Sequence, residues 1–237
     1  MAHIQAENLV VEFPVFGAKS RSLKNTVLRA ATGGLIARDA SDHIVVRALN
    51  GISFELRDGD RVGLIGHNGS GKSTLLRVLA GAYEPIGGSA TIEGRVSSML
   101  NIWLGMDYEA TGYENIFIRA VIMGFKPREI MPMVDEIVRF SELGDYIDMP
   151  MRTYSSGMAM RLAFAISTCV SAEILLMDEW LSAGDAEFTG KAKQRLMDIV
   201  DQAKILVLAS HDEKLIRSNC NMIMRLSHGS LISMEPL

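Results

Sequence analysis

Apolar residues along this chain fall in short blocks closed by glycine, asparagine or aspartate. The block "NLVVEF", Asn8 to Phe13, is rich in β-branched residues and predicts a first strand. From Ile44 to Gly66, "IVVRALNGISFELRDGDRVGLIG" predicts further strands, broken by "NG" and "DGD" turns. "KSTLLRVLAGAY" repeats leucine and alanine at helical spacing and should stop near Gly81. "SATIEGRV" predicts a short strand and a turn. Between about Gly112 and Asp148 the pattern turns helical, through "TGYENIFIRAVIMGF" and "KPREIMPMVDEIVRFSELGDYI". "RLAFAISTCV" predicts another apolar helix, while "AEILLMDE" and "AKILVLASH" predict two buried strands. Strands alternating with helices predict an α/β protein with a mostly parallel sheet covered on both faces.

Composition narrows the classes. With 237 residues, 48% hydrophobic and 22% charged, the chain can bury a sizeable core. A formal net charge of −4 gives no reason to expect a nucleic-acid partner. Cys169 and Cys220 each stand alone without metal-ligand or redox spacing, and read as inert thiols in a reducing compartment. The opening "MAHIQAENLV" lacks the basic region and apolar stretch of a secretory signal. No apolar run approaches the roughly 18 residues of a membrane-spanning helix, so a cytoplasmic chain is expected, free to act at a membrane through a partner. Between Pro14 and Arg38 lie Lys19, Arg21, Lys24, Arg29 and Arg38 with no acid, and Leu23, Val27 and Ala30 share a helical stripe. That segment is either a solvated surface insertion or a basic amphipathic helix near lipid headgroups or an anionic substrate.

Candidate chemistry centres on "GHNGSGKST": Gly66, His67, Asn68, Gly69, Ser70, Gly71, Lys72, Ser73 and Thr74. The pattern G-x-x-x-x-G-K-[ST] is complete, with an apolar strand before it and a helix after it. Glycines let successive backbone amides turn inward to cradle phosphate oxygens, and the helix N-terminus adds positive field. Lys72 should reach the β and γ phosphates of a nucleoside triphosphate, and the Ser73 hydroxyl should ligate Mg²⁺. Hydrolysis needs carboxylates as well. The strand "AEILLMDE" ends on Asp178, suited to Mg²⁺, and Glu179, suited to orient and deprotonate the attacking water. "VLASHD" delivers His211 at the end of a neighbouring strand, within reach of the γ-phosphate and that water.

"TYSSGMAMRLAFAI", Thr153 to Ile166, separates the many proteins that share those motifs. Here the chain resembles the ATP-binding cassette (ABC) ATPases, whose signature Leu-Ser-Gly-Gly-Gln it matches at Ser155 and Gly157 and departs from at Tyr154, Ser156 and Met158. The resemblance implies a P-loop NTPase (RecA-like) core with a mostly parallel sheet, an antiparallel β subdomain and an inserted helical subdomain. It implies one nucleotide-binding domain over 1–237, with 1–100 and 155–237 as catalytic core, 101–154 as helical subdomain and 14–43 as basic insertion. ATP and Mg²⁺ would be held in a head-to-tail homodimer, each ATP facing Ser155, Ser156 and Gly157 of the other copy. Asp185 of "SAGD" would cross the dimer interface, and Phe13, or alternatively Phe16, would stack on adenine. The family's metal-touching glutamine has no counterpart between Lys72 and Tyr154; by position Asn101 stands nearest that role.

"TYSSGM", "DEWLSAGDAEF" and "LGMDYEATGYENI" resemble one branch, the ATP-binding subunits of bacterial polysaccharide exporters. That resemblance implies two copies of an integral membrane permease subunit as partners. It also implies a lipid-linked polysaccharide of O-antigen, capsule or teichoic acid type as cargo, and a place on the cytoplasmic face of the inner membrane. The carbohydrate-binding domain that some members append is not expected after "MRLSHGSLISMEPL". Trp103, Leu104 and Met106 would line a groove for a cytoplasmic helix of the permease, or else belong to an ordinary core.

Overall fold

Burial alternates along the first strand, β1 (His3–Pro14), with Ile4, Ala6, Leu9 and Val11 inward, and the phase slips once at Glu7–Asn8. Asn8 has a left-handed backbone, φ +50, and the pairing register shifts there, so a bulge restores the inward phase. This is a computed structural model, and it describes residues 1–15, 35–38, 44–170, 172–179 and 186–237. They divide into two compact units: Met1–Leu100 with Glu173–Trp180 and Lys204–Leu237, and Asn101–Ala172 with Leu181–Ala203.

The first unit holds two sheets. β1 pairs antiparallel with β3 (Ile44–Arg57) and β5 (Gly87–Glu93), and β2 (Leu35–Arg38) joins the far edge of β3, giving the order β2-β3-β1-β5. The second sheet runs β10-β9-β4-β8-β7-β6, from β10 (Ser230–Pro236), β9 (Met222–Ser227), β4 (Arg61–Ile65), β8 (Ile205–Ala209), β7 (Ile174–Asp178) and β6 (Val96–Ser98). All its ladders are parallel except β10 with β9. Val62, Leu64, Leu175, Leu176, Leu206 and Leu208 are fully enclosed, as central parallel strands covered on both faces must be. Helix α1 (Lys72–Leu79) buries Leu75, Leu76, Val78 and Leu79 in the core shared with β1, β3 and β4.

The second unit is helical: α2 (Gly112–Ile122), α3 (Pro127–Ile130), α4 (Val134–Ser141), α5 (Ser156–Ser167) and α6 (Ala186–Gln202). A capping box starts α2, with Glu114 N donating to Thr111 Oγ1 at 3.1 Å and Thr111 N to Glu114 Oε2 at 2.8 Å. Ile116, Ala120, Ile137, Leu162 and Ile166 form its core. Phe140, Phe164 and Phe188 tie α6 to α4 and α5, with ring centroids 5.6–6.1 Å apart. The chain re-enters the first unit at Lys204, and helix α7 (Glu213–Asn219), capped by Asp212, belongs to that unit. Among the described residues no helix is long and apolar enough to cross a membrane.

Several elements go beyond the sequence pattern. β1 begins at His3 rather than Asn8, and α5 begins at Ser156, five residues before the apolar run that announces it. The end of the basic segment, Leu35–Arg38, is a strand paired with Ile44–Arg47, not part of a helix. Lys19, Arg21, Leu23, Lys24, Val27, Arg29 and Ala30 lie outside the described residues. Burial pushes both the Cys169 and the Cys220 thiol up to about 11, which keeps them protonated and unreactive at neutral pH.

Candidate functional site

β4 runs directly into the glycine loop, and the loop's shape depends on missing side chains. A Cβ at Gly66 would lie 2.3 Å from Leu226 O, and one at Gly71 would lie 2.7 Å from Ala48 O. Gly71 caps α1 with φ +107 and offers no side chain to its amides. Leu75 N donates to Gly71 O at 2.9 Å, the first rung of the helical ladder. The amides of Gly71 to Thr74 precede that rung and have no intrahelical partner. They gather at the positive end of the helix, where an anion is favoured. The Ser70 hydroxyl is fully buried, and its Oγ has no hydrogen-bond partner.

Lys72 reaches back over this loop. Its Nζ donates to Gly66 O at 2.7 Å and His67 O at 3.2 Å, and the residue is only 8% exposed. Burial lowers its pKa from the ordinary lysine value, while the negative charges of Asp178 and Glu179 pull the other way. A cation in that balance is ready for more negative charge.

Asp178 and Glu179 arrive by strand register. Ile174 to Met177 are fully enclosed in β7, so the strand cannot turn until it passes the sheet edge, and there it presents both acids. Asp178 pairs with Ala209 in the β7–β8 ladder, and Glu179 N donates to Ala209 O at 2.8 Å. This draws the end of β8 alongside and sets His211 Nε2 4.0 Å from Glu179 Oε1. Glu179 itself is left-handed, φ +66, a conformation that costs a non-glycine residue roughly 1–3 kcal/mol and clusters at working sites.

These groups line one cleft of about 540 Å³, together with Asn68, Gly69, Ser73, Thr74, Phe13, Val46, Ala48 and Leu100. Its lining is of two kinds: a cationic, amide-rich loop facing two acids, and an apolar wall. Phe13 sits edge-on to Tyr83, ring centroids 5.4 Å apart, and is the direct cross-strand partner of Val46. Val46 and Ala48 were not singled out from sequence. Val46 pairs with Phe13, and Ala48 is the extra residue where the β1–β3 register shifts, so both reach the cleft through a pairing that the local pattern does not show.

The remaining expected residues lie elsewhere. His67 turns its ring onto His228, centroids 4.6 Å apart, with Nδ1 2.9 Å from Asn68 O. Asn101 belongs to the second unit, where its Oδ1 accepts from Trp103 N at 3.0 Å. Ser155, Ser156 and Gly157 form the start of α5 in that unit, and Ser155 Oγ accepts from Met158 N at 3.2 Å. A Cβ at Gly157 would meet only Ser155 Oγ at 3.8 Å. The packing of the described residues therefore does not require glycine there. Phe16 and Asp185 lie outside the described residues.

The second unit also carries an open groove of about 620 Å³ lined by Asp107, Glu109, Tyr113, Glu114 and Phe117 among others. Beside it in sequence, Trp103 and Leu104 are exposed, while Met106 packs against the unit's core. Arg119 fixes that loop from within. Its Nη1 donates to Leu104 O at 2.5 Å and its Nη2 to Ser167 Oγ at 2.8 Å, and burial lowers it to about 10.

A glycine loop, a lysine and two acids lining one cleft at the end of a mostly parallel sheet define a P-loop nucleotide-binding protein. Residues 49–182 match the ABC transporter family, and the chain belongs to it. It is 46% identical over 229 residues to the O-antigen export system ATP-binding protein RfbE of Yersinia enterocolitica, covering 97% of this chain and 96% of that one. It is 37% identical over 228 residues to the teichoic acids export ATP-binding protein TagH of Lactococcus lactis subsp. lactis (strain IL1403). That match covers 96% of this chain and 47% of TagH, so the chain spans about half of that relative's length. Its fold is similar to a dimeric ATP-binding cassette solved in a post-hydrolysis state bound to ADP and Pi, with a TM-score of 0.68, 18% identity, and coverage of 99% and 98% of the two chains.

Proposed function

We propose that the chain is the ATP-hydrolysing subunit of an ABC transporter that exports a lipid-linked polysaccharide of O-antigen type across the bacterial inner membrane. The observation that carries the ATPase half is the convergence of Lys72, Ser73, Asp178, Glu179 and His211 on one cleft. The cargo half rests on the likeness to RfbE, which runs through almost the whole of both chains.

In this reading the amides of Gly69 to Thr74 bind the β and γ phosphates, and Lys72 exchanges its bonds to the Gly66 and His67 carbonyls for phosphate oxygens. Phe13 packs on the adenine from the apolar wall that Val46 and Ala48 complete. The donor set suits Mg²⁺: a hydroxyl and a carboxylate, both hard oxygen ligands, at Ser73 and Asp178. That ion would supply charge neutralisation of the phosphates. Glu179 takes a proton from the attacking water as the water oxygen bonds to the γ-phosphorus, and the bond to the β,γ-bridging oxygen breaks, leaving ADP and phosphate. His211, beside Glu179, orients that water and the γ-phosphate.

One copy binds and a second completes the site. The start of α5, with Ser155, Ser156 and the bare Gly157, presents amides to the triphosphate held by the other copy. Asp185 crosses between the copies, and Asn101 takes the place of the family's glutamine. Hydrolysis removes the shared phosphate contact and lets the dimer open. Two permease subunits dock a cytoplasmic segment on the second unit, against Trp103, Leu104 and the groove with Tyr113 and Phe117. The chain then works peripherally on the cytoplasmic face of the membrane, as a single nucleotide-binding domain built from both units, with residues 14–43 inserted in its β part.

The test is complementation. In a host whose own exporter ATPase is deleted and whose permease is retained, the wild-type chain should restore surface polysaccharide and Glu179→Gln should not. Restored hydrolysis in membranes without surface polysaccharide would remove the cargo assignment and leave the ATPase.

A further inference from the structure

A two-residue turn closes the C-terminal hairpin. β9 ends at Ser227 and β10 begins at Ser230, and both His228 and Gly229 are left-handed, φ +47 and +77. Two successive left-handed residues make a type I′ turn, whose first position favours Asn, Asp or Gly, with histidine also among the side chains enriched in left-handed backbone. Histidine holds that position here.

The turn lies directly against the phosphate loop. Gly229 N donates to Ser70 O at 3.0 Å, and Gly229 O accepts from Asn50 N at 2.8 Å. A Cβ at Gly229 would lie 2.7 Å from Ala48 O, so no side chain fits between the turn and β3. Next to it the His228 ring packs on His67, centroids 4.6 Å apart and planes tilted by 52°. The backbone contacts need no imidazole; Asn or Gly would form the same turn. A ring against His67 is something neither of them supplies.

We infer that His228 is a positioning residue for nucleotide binding: its ring, acting through His67, holds the first part of the phosphate loop in its binding shape. The inference rests on the reading of this loop as a triphosphate site. His67 is joined to the loop at two further points. Its Nδ1 lies 2.9 Å from Asn68 O, and its own carbonyl accepts from Lys72 Nζ at 3.2 Å. A constraint on the ring is therefore passed to the backbone at 67 and 68. Without it, those residues must be ordered when the phosphates arrive, and that ordering weakens binding. Aromatic pairs of this kind correspond to roughly three- to tenfold in a dissociation constant.

Two substitutions separate this role from a purely structural one. His228→Asn removes the ring and suits the left-handed backbone; His228→Phe keeps a ring there. The full chain is titrated with a fluorescent ATP analogue and Mg²⁺, its melting temperature is measured without nucleotide, and its steady-state hydrolysis is recorded. His228→Asn should melt at or above the wild-type temperature yet bind roughly three- to tenfold more weakly, with the loss in KM rather than kcat. His228→Phe should bind within about twofold of wild type while melting no higher. Wild-type affinity in His228→Asn overturns the inference, as does a loss of affinity in both variants that follows a loss of melting temperature. Wild-type protein that binds no nucleotide overturns the functional reading as well; wild-type binding with an indifferent His228→Asn overturns this inference alone.

Discussion

Replacing Lys72 with methionine keeps the unbranched stem, which packs at the start of α1, and removes the ammonium. In the nucleotide-free chain that ammonium has two carbonyl partners, Gly66 O at 2.7 Å and His67 O at 3.2 Å. Binding a triphosphate exchanges them for phosphate oxygens. The bonds given up are donated by the same ammonium and are charge-assisted too, so their exchange nearly cancels. What the variant loses is the cation opposite the enclosed phosphate charge, roughly 2–3 kcal/mol, at the low end of what removing one partner of such a pair costs. At 1.4 kcal/mol per decade, Lys72→Met should raise the Kd for MgATP about 30- to 150-fold. Titration with a fluorescent ATP analogue measures it directly. A pH series without nucleotide supplies a second reading. Burial holds the Lys72 pKa in the fold below the unfolded value, so between the two the unfolded chain binds more protons and wild-type stability rises with pH. That increment is complete above about 10.5 and lost as pH falls through the folded pKa, and Lys72→Met should lack it. Unchanged affinity in a folded Lys72→Met variant would refute the phosphate-cradle reasoning outright.

Two further perturbations divide the site into its parts. Phe13→Ala should weaken ATP binding by roughly three- to tenfold, the worth of one aromatic contact, without changing inhibition by inorganic tripolyphosphate; equal losses for both ligands would mean that Phe13 supports the loop rather than the base. Ser155→Asp keeps an acceptor for Met158 N, so α5 should stay capped and the melting temperature within about 1 °C of wild type, while Ser155→Ala loses about 1 kcal/mol and roughly 2–4 °C. In the proposed dimer only Ser155→Asp would set a negative charge toward the other copy's triphosphate, so it should abolish turnover; turnover equal to wild type would remove Ser155 from the shared site.

How much of this could be read from the chain depends on where each signal lies. β4, β7 and β8 are legible because their residues are enclosed on both faces, so each appears as an unbroken apolar run between turn residues. The phosphate loop is legible because its glycines answer a local backbone need, φ +79 at Gly69 and +107 at Gly71, within one contiguous motif. Helix α6 has the same kind of signal, less visibly: Phe188, Ala192, Leu196 and Val200 recur every four residues and are all buried, but Gly190 and a polar surround dilute the stripe. The C-terminal hairpin is harder. "MIMRLS" carries no β-branched run, and its turn begins with histidine where Asn or Asp would have announced it. Val46 and Ala48 become part of the site only through the pairing of β3 with β1, which no local pattern encodes. The acids and His211 fall between these cases, since strand ends locate each one but only the β7–β8 register brings Glu179 and His211 to 4.0 Å.

In the proposed mechanism two copies of this chain close on shared triphosphate and open when it is cleaved. Glu179→Gln should bind MgATP and fail to cleave it, so the closed state should accumulate. Mass measured by light scattering on a sizing column, with and without MgATP, tests this directly. Mass should shift from 26.0 kDa to twice that value on adding MgATP and return when the nucleotide is washed out. A variant that stays at 26.0 kDa with MgATP demonstrably bound would contradict it.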